Sequence, residues 1–176
     1  SVLAWRWMLG DVGGIVNYGL LQLGLIDRPL GWLGDPALAR FSVILVNVWR
    51  GAPFFGISIL SALQAIPDYL YEAALIDGAS SWQAFRRITL PAIQNVVALV
   101  TLVSTIWTLA DFEIIWIMTR GGPANATHVF STFSYLTAFR NLDLAKGVAI
   151  SLFMVPFSLL LMIVTLRFVF REEGGA

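Results

Sequence analysis

Ile66 to Pro91 reads IPDYLYEAALIDGASSWQAFRRITLP, and its two halves carry separate helix signals. Pro67 suits a helix start, and Asp68 and Glu72 close to that start complement the positive end of the helix dipole. Ile66, Tyr69, Leu70, Ala73 and Ile76 fall at helical spacing on one face, while Asp68, Glu72 and Ala79 lie away from it. Gly78 can end this first helix. Ser80 and Gln83 have the spacing of a capping box that opens a second helix, Arg86 and Arg87 fall in its last turn, and Pro91 can begin the next element. The stretch is too polar to remain in hydrocarbon, yet periodicity alone fits an ordinary amphipathic connector as well as a specialised lever.

Its flanks decide the fold class. Outward from this loop, three stretches meet the roughly 20 apolar residues needed to cross a bilayer: about 41–63, 92–118 and 147–169. The last carries no charge before Arg167. The first holds Asn47, Arg50 and Pro53 and the second Asp111 and Glu113, so both are expected to face protein or a cavity rather than lipid. The expectation is an all-α polytopic transmembrane bundle with three complete spans. Ser1 to Leu9 reads as the remnant of an earlier span, in a chain that starts inside a larger protein. Regions 10–36 and 119–146 fall on the side opposite the 66–91 loop, with Ile15 to Ile26 as a short interfacial helix. A turn at Arg120-Gly121-Gly122-Pro123 is followed by a Ser/Thr/Phe-rich helix along the membrane surface.

Composition agrees. Of the 176 residues 58% are hydrophobic and 12% charged, about half the usual charged share. Eleven basic residues balance eleven acidic ones, which removes the electrostatic case for nucleic-acid binding. With no cysteine and the single histidine His128, no thiolate or histidine-rich metal centre can be built. His128 has no carboxylate at metal spacing and is read as a surface residue of the external loop. No nucleophile–base constellation and no phosphate-cradling glycine loop is present, so the chain is not read as an enzyme. Arginine and lysine counts, four beside the 66–91 loop and C-terminus against six on the other side, taken alone weakly favour placing that loop outside, an orientation the motif in the loop overrules.

Glu72-Ala73-Ala74, then Asp77-Gly78, then Ile88-Thr89-Leu90-Pro91 at fixed offsets between two spans resembles the EAA motif of bacterial ABC importer permeases. That resemblance implies the type I ABC importer permease fold. It makes the 66–91 loop and the C-terminus cytoplasmic, in a multi-pass protein of a bacterial or archaeal plasma membrane. It also implies that Glu72, Ala73, Ala74, Asp77, Gly78, Ile88, Leu90 and Pro91 couple the spans to an ATPase. The implied partners are a second permease subunit, two cytoplasmic ABC ATPase subunits that bind ATP and magnesium, and an extracytoplasmic solute-binding protein or lipoprotein. No cofactor would be held by this chain itself.

Within the family, Trp32-Leu33, Asp35-Pro36, Asn47-Val48-Trp49, Ala65-Ile66-Pro67, Phe112-Glu113 and Thr119 to Pro123 are similar to the larger permease subunit of maltose-type carbohydrate importers. Glu113 stands where aspartate is common in that branch, and Arg120 where glycine or asparagine is usual. The resemblance carries sugar-contacting roles onto Asn47, Gly51 and Phe54 in the first span and onto Ser104, Trp107, Thr108 and Asp111 in the second. With the loop cytoplasmic, Asn47 and Asp111 both lie roughly 7 to 9 Å outward of their span centres, at 1.5 Å per residue. Asn47, Ser104 and Thr108 can hydrogen-bond hydroxyls, and Trp107 or Phe54 can cover an apolar sugar face. The same residue types also pack helices together; Gly51 fits that role, and Trp116 fits an interfacial belt. Arg50 and Asp111 form a candidate intramembrane pair, against a sister subunit or water as the other partner for Arg50. Glycerol phosphate or another small solute is the alternative cargo, and an ion-coupled secondary transporter the alternative machine.

Overall fold

A computed structural model describes residues 1–173, with side chains to Thr165 and at Arg167. All regular elements among them are helical, as the apolar spans and the helix signals of the 66–91 loop led us to expect. In chain order they are α1 (Val2–Met8), α2 (Ile15–Gln22), α3 (Pro36–Gln64), α4 (Tyr69–Ile76), α5 (Ser81–Ala84), α6 (Leu90–Ala110), α7 (Glu113–Met118), α8 (Phe130–Tyr135) and α9 (Leu144–Glu173). π-Helical segments Phe85–Thr89 and Leu136–Arg140 precede α6 and follow α8.

Among the described residues three helices are long and apolar enough to cross a membrane: Pro36–Gln64, Ser81–Ala110 and Leu144–Thr165, with mean hydropathies of 1.6, 1.7 and 2.5. Pro53 and Pro156 lie inside α3 and α9 without ending them, a tolerance common in membrane helices, where neighbouring groups can satisfy the freed carbonyl. Only 6%, 17% and 6% of the respective apolar windows is buried within the chain, so most of their surface is left for lipid or other subunits.

The second helix differs from the sequence expectation at both ends. Instead of running over 92–118, it stops at Ala110, and α7 begins only at Glu113. The Asp111 carboxylate explains the stop: Oδ1 accepts the Ile114 N–H at 3.1 Å, a local bond that competes with the helical ladder. At the other end, Arg86 and Arg87 do not terminate a separate helix. They lie in the π-helical segment that joins α5 to α6, where the Leu90 N–H reaches back five residues to the Phe85 carbonyl. Pro91 has no N–H to give the ladder, and the wider π turn sits immediately before it.

The chain divides into two compact units, one of Ser1–Arg50 with Trp107–Phe157 and one of Gly51–Ile106 with the segment from Ser158. Val2, Leu9, Val46, Ile114 and Met118 are the buried centre of the first, covered by Trp5, Val16, Trp32 and Val43 among others. Asn17 organises the loop between α2 and α3. The side chain is 3% exposed, its amide donates to the carbonyls of Leu30 at 2.9 Å and Asp11 at 3.3 Å, and its Oδ1 accepts from Leu30 N–H and Trp32 Nε1–H, both at 3.0 Å. Buried polar atoms are tolerable only when satisfied in this way. Phe112, Trp116 and Tyr135 form a three-ring cluster, with centroids 4.9 to 5.2 Å apart, that fastens α7 to α8. In the second unit Ile93, Val100 and Leu102 are buried along α6.

Candidate functional site

In the second unit, two helix-capping arrangements meet at adjacent residues of the 66–91 loop. Gly78 has φ +75, a conformation L-residues adopt at a cost, and it follows the last residues of α4. The Gly78 N–H donates to Leu75 O at 3.1 Å and the Ala79 N–H to Ala74 O at 2.9 Å, the bond pair of a Schellman motif. One residue later, Ser80 caps α5: its N–H donates to Gln83 Oε1 at 2.8 Å, and the Gln83 N–H donates to Ser80 Oγ at 3.4 Å. A hydroxyl–hydroxyl bond from Tyr71 to Thr89 at 2.9 Å then ties α4 to the base of α6. Nothing in the sequence pattern singles out that pair, because its partners are 18 residues apart.

Glu72 is exposed in the first turn of α4, with Ala73 and Asp77 also exposed and Ala74 half-buried. Ile88 is half-buried, and Leu90 and Pro91 are exposed at the foot of α6. Three large residues of α4 stay open: Tyr69 is 65%, Leu75 75% and Ile76 86% exposed, while Leu70, Tyr71 and Ala74 are half-buried. A groove of about 450 Å³ opens beside them, lined by Tyr71, Glu72, Ala74, Leu75, Ala84 and Phe85 among others.

The first unit gathers a polar cluster where α3 meets the break after α6. Asn47 Nδ2 donates to Thr108 Oγ1 at 3.2 Å. Arg50 forms an ion pair with Asp111 through Nη2 and Oδ2, the Asp111 side chain being only 8% exposed and that of Arg50 37%. The Asp111 carbonyl, freed by the helix break, accepts from Ser131 Oγ at 2.8 Å. Asp111 therefore engages α3, α7 and α8 at once. Ser131 was not legible as part of this cluster, since one serine in a Ser/Thr-rich segment carries no distinguishing signal. A small cavity of about 160 Å³ is bounded by Asn47, Thr108, Asp111, Val43, Ile114 and neighbours. Trp107 is 58% exposed in the same unit.

Gly51, Phe54 and Ser104 belong to the second unit. Gly51 has no atom within 4 Å of where a Cβ would stand, so no packing within the chain requires glycine there. Glu113 is exposed at the start of α7, where a carboxylate complements the helix dipole.

His128 is half-buried rather than a surface residue. Its ring lies against Gly121, where a Cβ would collide with it, and Nδ1 shares a 3.1 Å hydrogen bond with Thr132 Oγ1. Burial holds the imidazole below its usual pKa. Among the described residues no cluster could hold a metal ion. The C-terminal residues 174–176, expected on the cytoplasmic side, lie outside the described residues.

Comparison with known proteins accords with this architecture. The model of the "Binding-protein-dependent transport system inner membrane component" family matches residues 5–173. The chain is 40% identical over 173 residues to a "Probable ABC transporter permease protein" of Brucella suis, covering 98% of this chain and 60% of that one. It is also 40% identical over 153 residues to the trehalose/maltose transport system permease protein MalF of Thermococcus litoralis, covering 86% of this chain and 50% of that one. A chain in the crystal structure of a bacterial alginate ABC transporter, in complex with alginate pentasaccharide-bound periplasmic protein, is similar with a TM-score of 0.80 at 29% identity. That match covers 94% of this chain and 58% of the other. The chain thus spans between half and three fifths of the length of these relatives. With the two-helix loop, the apolar helices and a family match over almost the whole sequence, the chain belongs to the binding-protein-dependent transport system inner membrane components, the permeases of ABC importers.

Proposed function

We propose that this chain is the part of an importer's permease subunit that lines the translocation pathway and transmits force from a separate ATPase, with a sugar or oligosaccharide as cargo. The observation that carries the coupling role is the junction at Gly78 to Ser80. A Schellman motif and a capping box on adjacent residues fix α4 against α5, and α5 continues through the π turn into the α6 span without a flexible linker. A push on the exposed side of α4 is therefore delivered to a membrane helix. The exposed Tyr69, Leu75 and Ile76 supply an apolar surface for a partner, and Glu72 supplies a carboxylate for a basic group. In this reading the loop is cytoplasmic and is held by ATPase subunits that carry the ATP and magnesium. A second permease completes the pathway, and a solute-binding protein delivers cargo from outside.

A saccharide cargo is supported by the relatives' printed names and by the Asn47–Thr108 and Arg50–Asp111 pairs. Amide and hydroxyl groups there can exchange partners with sugar hydroxyls, and Arg50 balances the Asp111 charge, so the cluster carries no net charge to select an ion. The same pairing argues against Asp111 as a free proton or sodium site of a secondary transporter, because its carboxylate is already engaged.

The test is uptake of labelled saccharides, delivered by the cognate binding protein, into proteoliposomes of the full-length subunits. ATP-dependent uptake that falls on replacing Glu72 or Gly78 supports the proposal. Uptake that persists without the ATPase and collapses with an uncoupler overturns it.

A further inference from the structure

Trp82, Gln83, Arg86 and Arg87 line a cleft of about 480 Å³ at the foot of α6. Spacings of four and five residues along one continuous helical path bring these side chains to a common side, and all four are exposed. The ion pairs among the described residues are Arg50–Asp111 and Lys146–Asp143, so neither Arg86 nor Arg87 has a carboxylate partner there. Trp82 stacks on Phe85, with centroids 5.5 Å apart and planes 24° apart, and both rings are open, 69% and 42% exposed. Arg87 is three residues, about 4.5 Å of helix rise, from Leu90, where the apolar run of α6 begins. With α6 in hydrocarbon, both guanidiniums therefore lie at headgroup depth, beside aromatic rings of the kind that settle at a membrane–water boundary.

We propose that this cleft is a binding site for an anionic phospholipid headgroup of the cytoplasmic leaflet. Arg86 and Arg87 take the phosphate oxygens, for which the guanidinium fork is suited, and Trp82 with Phe85 lies along the boundary between glycerol and acyl chain. Two features favour lipid over an acidic protein surface: the exposed aromatic pair and the closeness of the arginines to the start of the span. Bound there, the lipid would pin the base of the lever while α4 moves with its partner. The inference rests on the reading of 66–91 as a cytoplasmic, membrane-proximal loop.

The test uses the full-length permease assembled with its partner subunits in nanodiscs of phosphatidylcholine mixed with phosphatidylglycerol. Lipid retained on the protein after a delipidating wash is then quantified. The expected result is preferential retention of phosphatidylglycerol that weakens with added salt and is not displaced by inorganic phosphate. Arg86→Gln with Arg87→Gln should lower that retention by about thirtyfold, from the attraction lost with two arginines at the anionic surface. Arg86→Lys with Arg87→Lys should keep most of it. Equal retention of the two lipids by the wild type overturns the proposal, and so does undiminished phosphatidylglycerol in the glutamine variant. Displacement by inorganic phosphate instead identifies a solution-phosphate site and overturns the lipid assignment. Loss of ATPase subunits with phosphatidylglycerol unchanged identifies a protein contact and also overturns it. Should the glutamine variant fail to assemble, the wild-type lipid preference and the lysine variant decide the matter. An assembled complex without lipid preference sinks this site alone, whereas a wild-type permease that never takes up an ATPase sinks the loop reading beneath it.

Discussion

Replacing Gly78 separates two reasons for a glycine at the turn of the 66–91 loop. Gly78 has φ +75, and no atom of the chain lies within 4 Å of where a Cβ would stand. Within the subunit the cost of a side chain is therefore purely conformational. An L-residue in the left-handed region costs about 1–2 kcal/mol, of which Gly→Ala recovers roughly 0.4–1 kcal/mol by restricting the open chain. The net for Gly78→Ala is about 1 kcal/mol, or about a fivefold rise in the open fraction of the turn. Asparagine tolerates this conformation and should cost less, and β-branched valine should cost more. The order expected is Asn mildest, Ala intermediate and Val worst. Hydrogen exchange at the Ala79 amide, which donates to Ala74, reads the opening directly, and ATP-driven uptake in proteoliposomes reads its consequence. If glycine is needed instead because a partner's backbone approaches closely, the order follows size, and Ala is milder than Asn. That result, or equal protection of the Ala79 amide in all three variants, refutes the conformational argument.

Asp111→Asn should keep the acceptor for the Ile114 N–H but leave the Arg50 charge unpaired, costing about 1–3 kcal/mol given that Arg50 is partly exposed. Asp111→Ala also removes the cap and should cost about 1 kcal/mol more in thermal unfolding of the detergent-solubilised protein. Gly121→Ala combines φ +88 with collision against the His128 ring and should destabilise the loop between α7 and α8 by about 2 kcal/mol or more. His128→Ala should restore part of that loss, leaving the backbone penalty, as a double-mutant cycle on thermal stability would show. Because burial lowers the folded-state pKa of His128 below its unfolded value, protonation favours opening of the loop. The loop's stability is therefore complete above the usual histidine pKa and declines as pH falls toward and through the lowered value. The protection factor of the Val129 amide, which donates to Thr132 Oγ1, should fall on mild acidification once the rate is corrected for the intrinsic exchange rate at each pH, and His128→Gln should flatten that dependence.

The sequence by itself determined the helical class, the apolar helices and the chemistry of the 66–91 loop, because each of these is written within a few residues. A capping box needs only Ser80 and Gln83 three positions apart, a Schellman turn needs a glycine where φ is positive, and a bilayer-crossing helix needs only length and apolarity. Tertiary structure decided the rest. Arg50 and Asp111 are 61 residues apart, and whether Arg50 meets Asp111, Glu113 or neither is a question of distance that no local pattern encodes. The same holds for the Tyr71–Thr89 bond and for the Ser131 hydroxyl that takes up the Asp111 carbonyl. Even the end of α6 at Ala110 was hidden, since Asp111 in an apolar run reads only as a costly charge. The backbone can leave the ladder there because the Asp111 carboxylate takes the Ile114 N–H, Ser131 takes the Asp111 carbonyl, and Arg50 balances the carboxylate's charge.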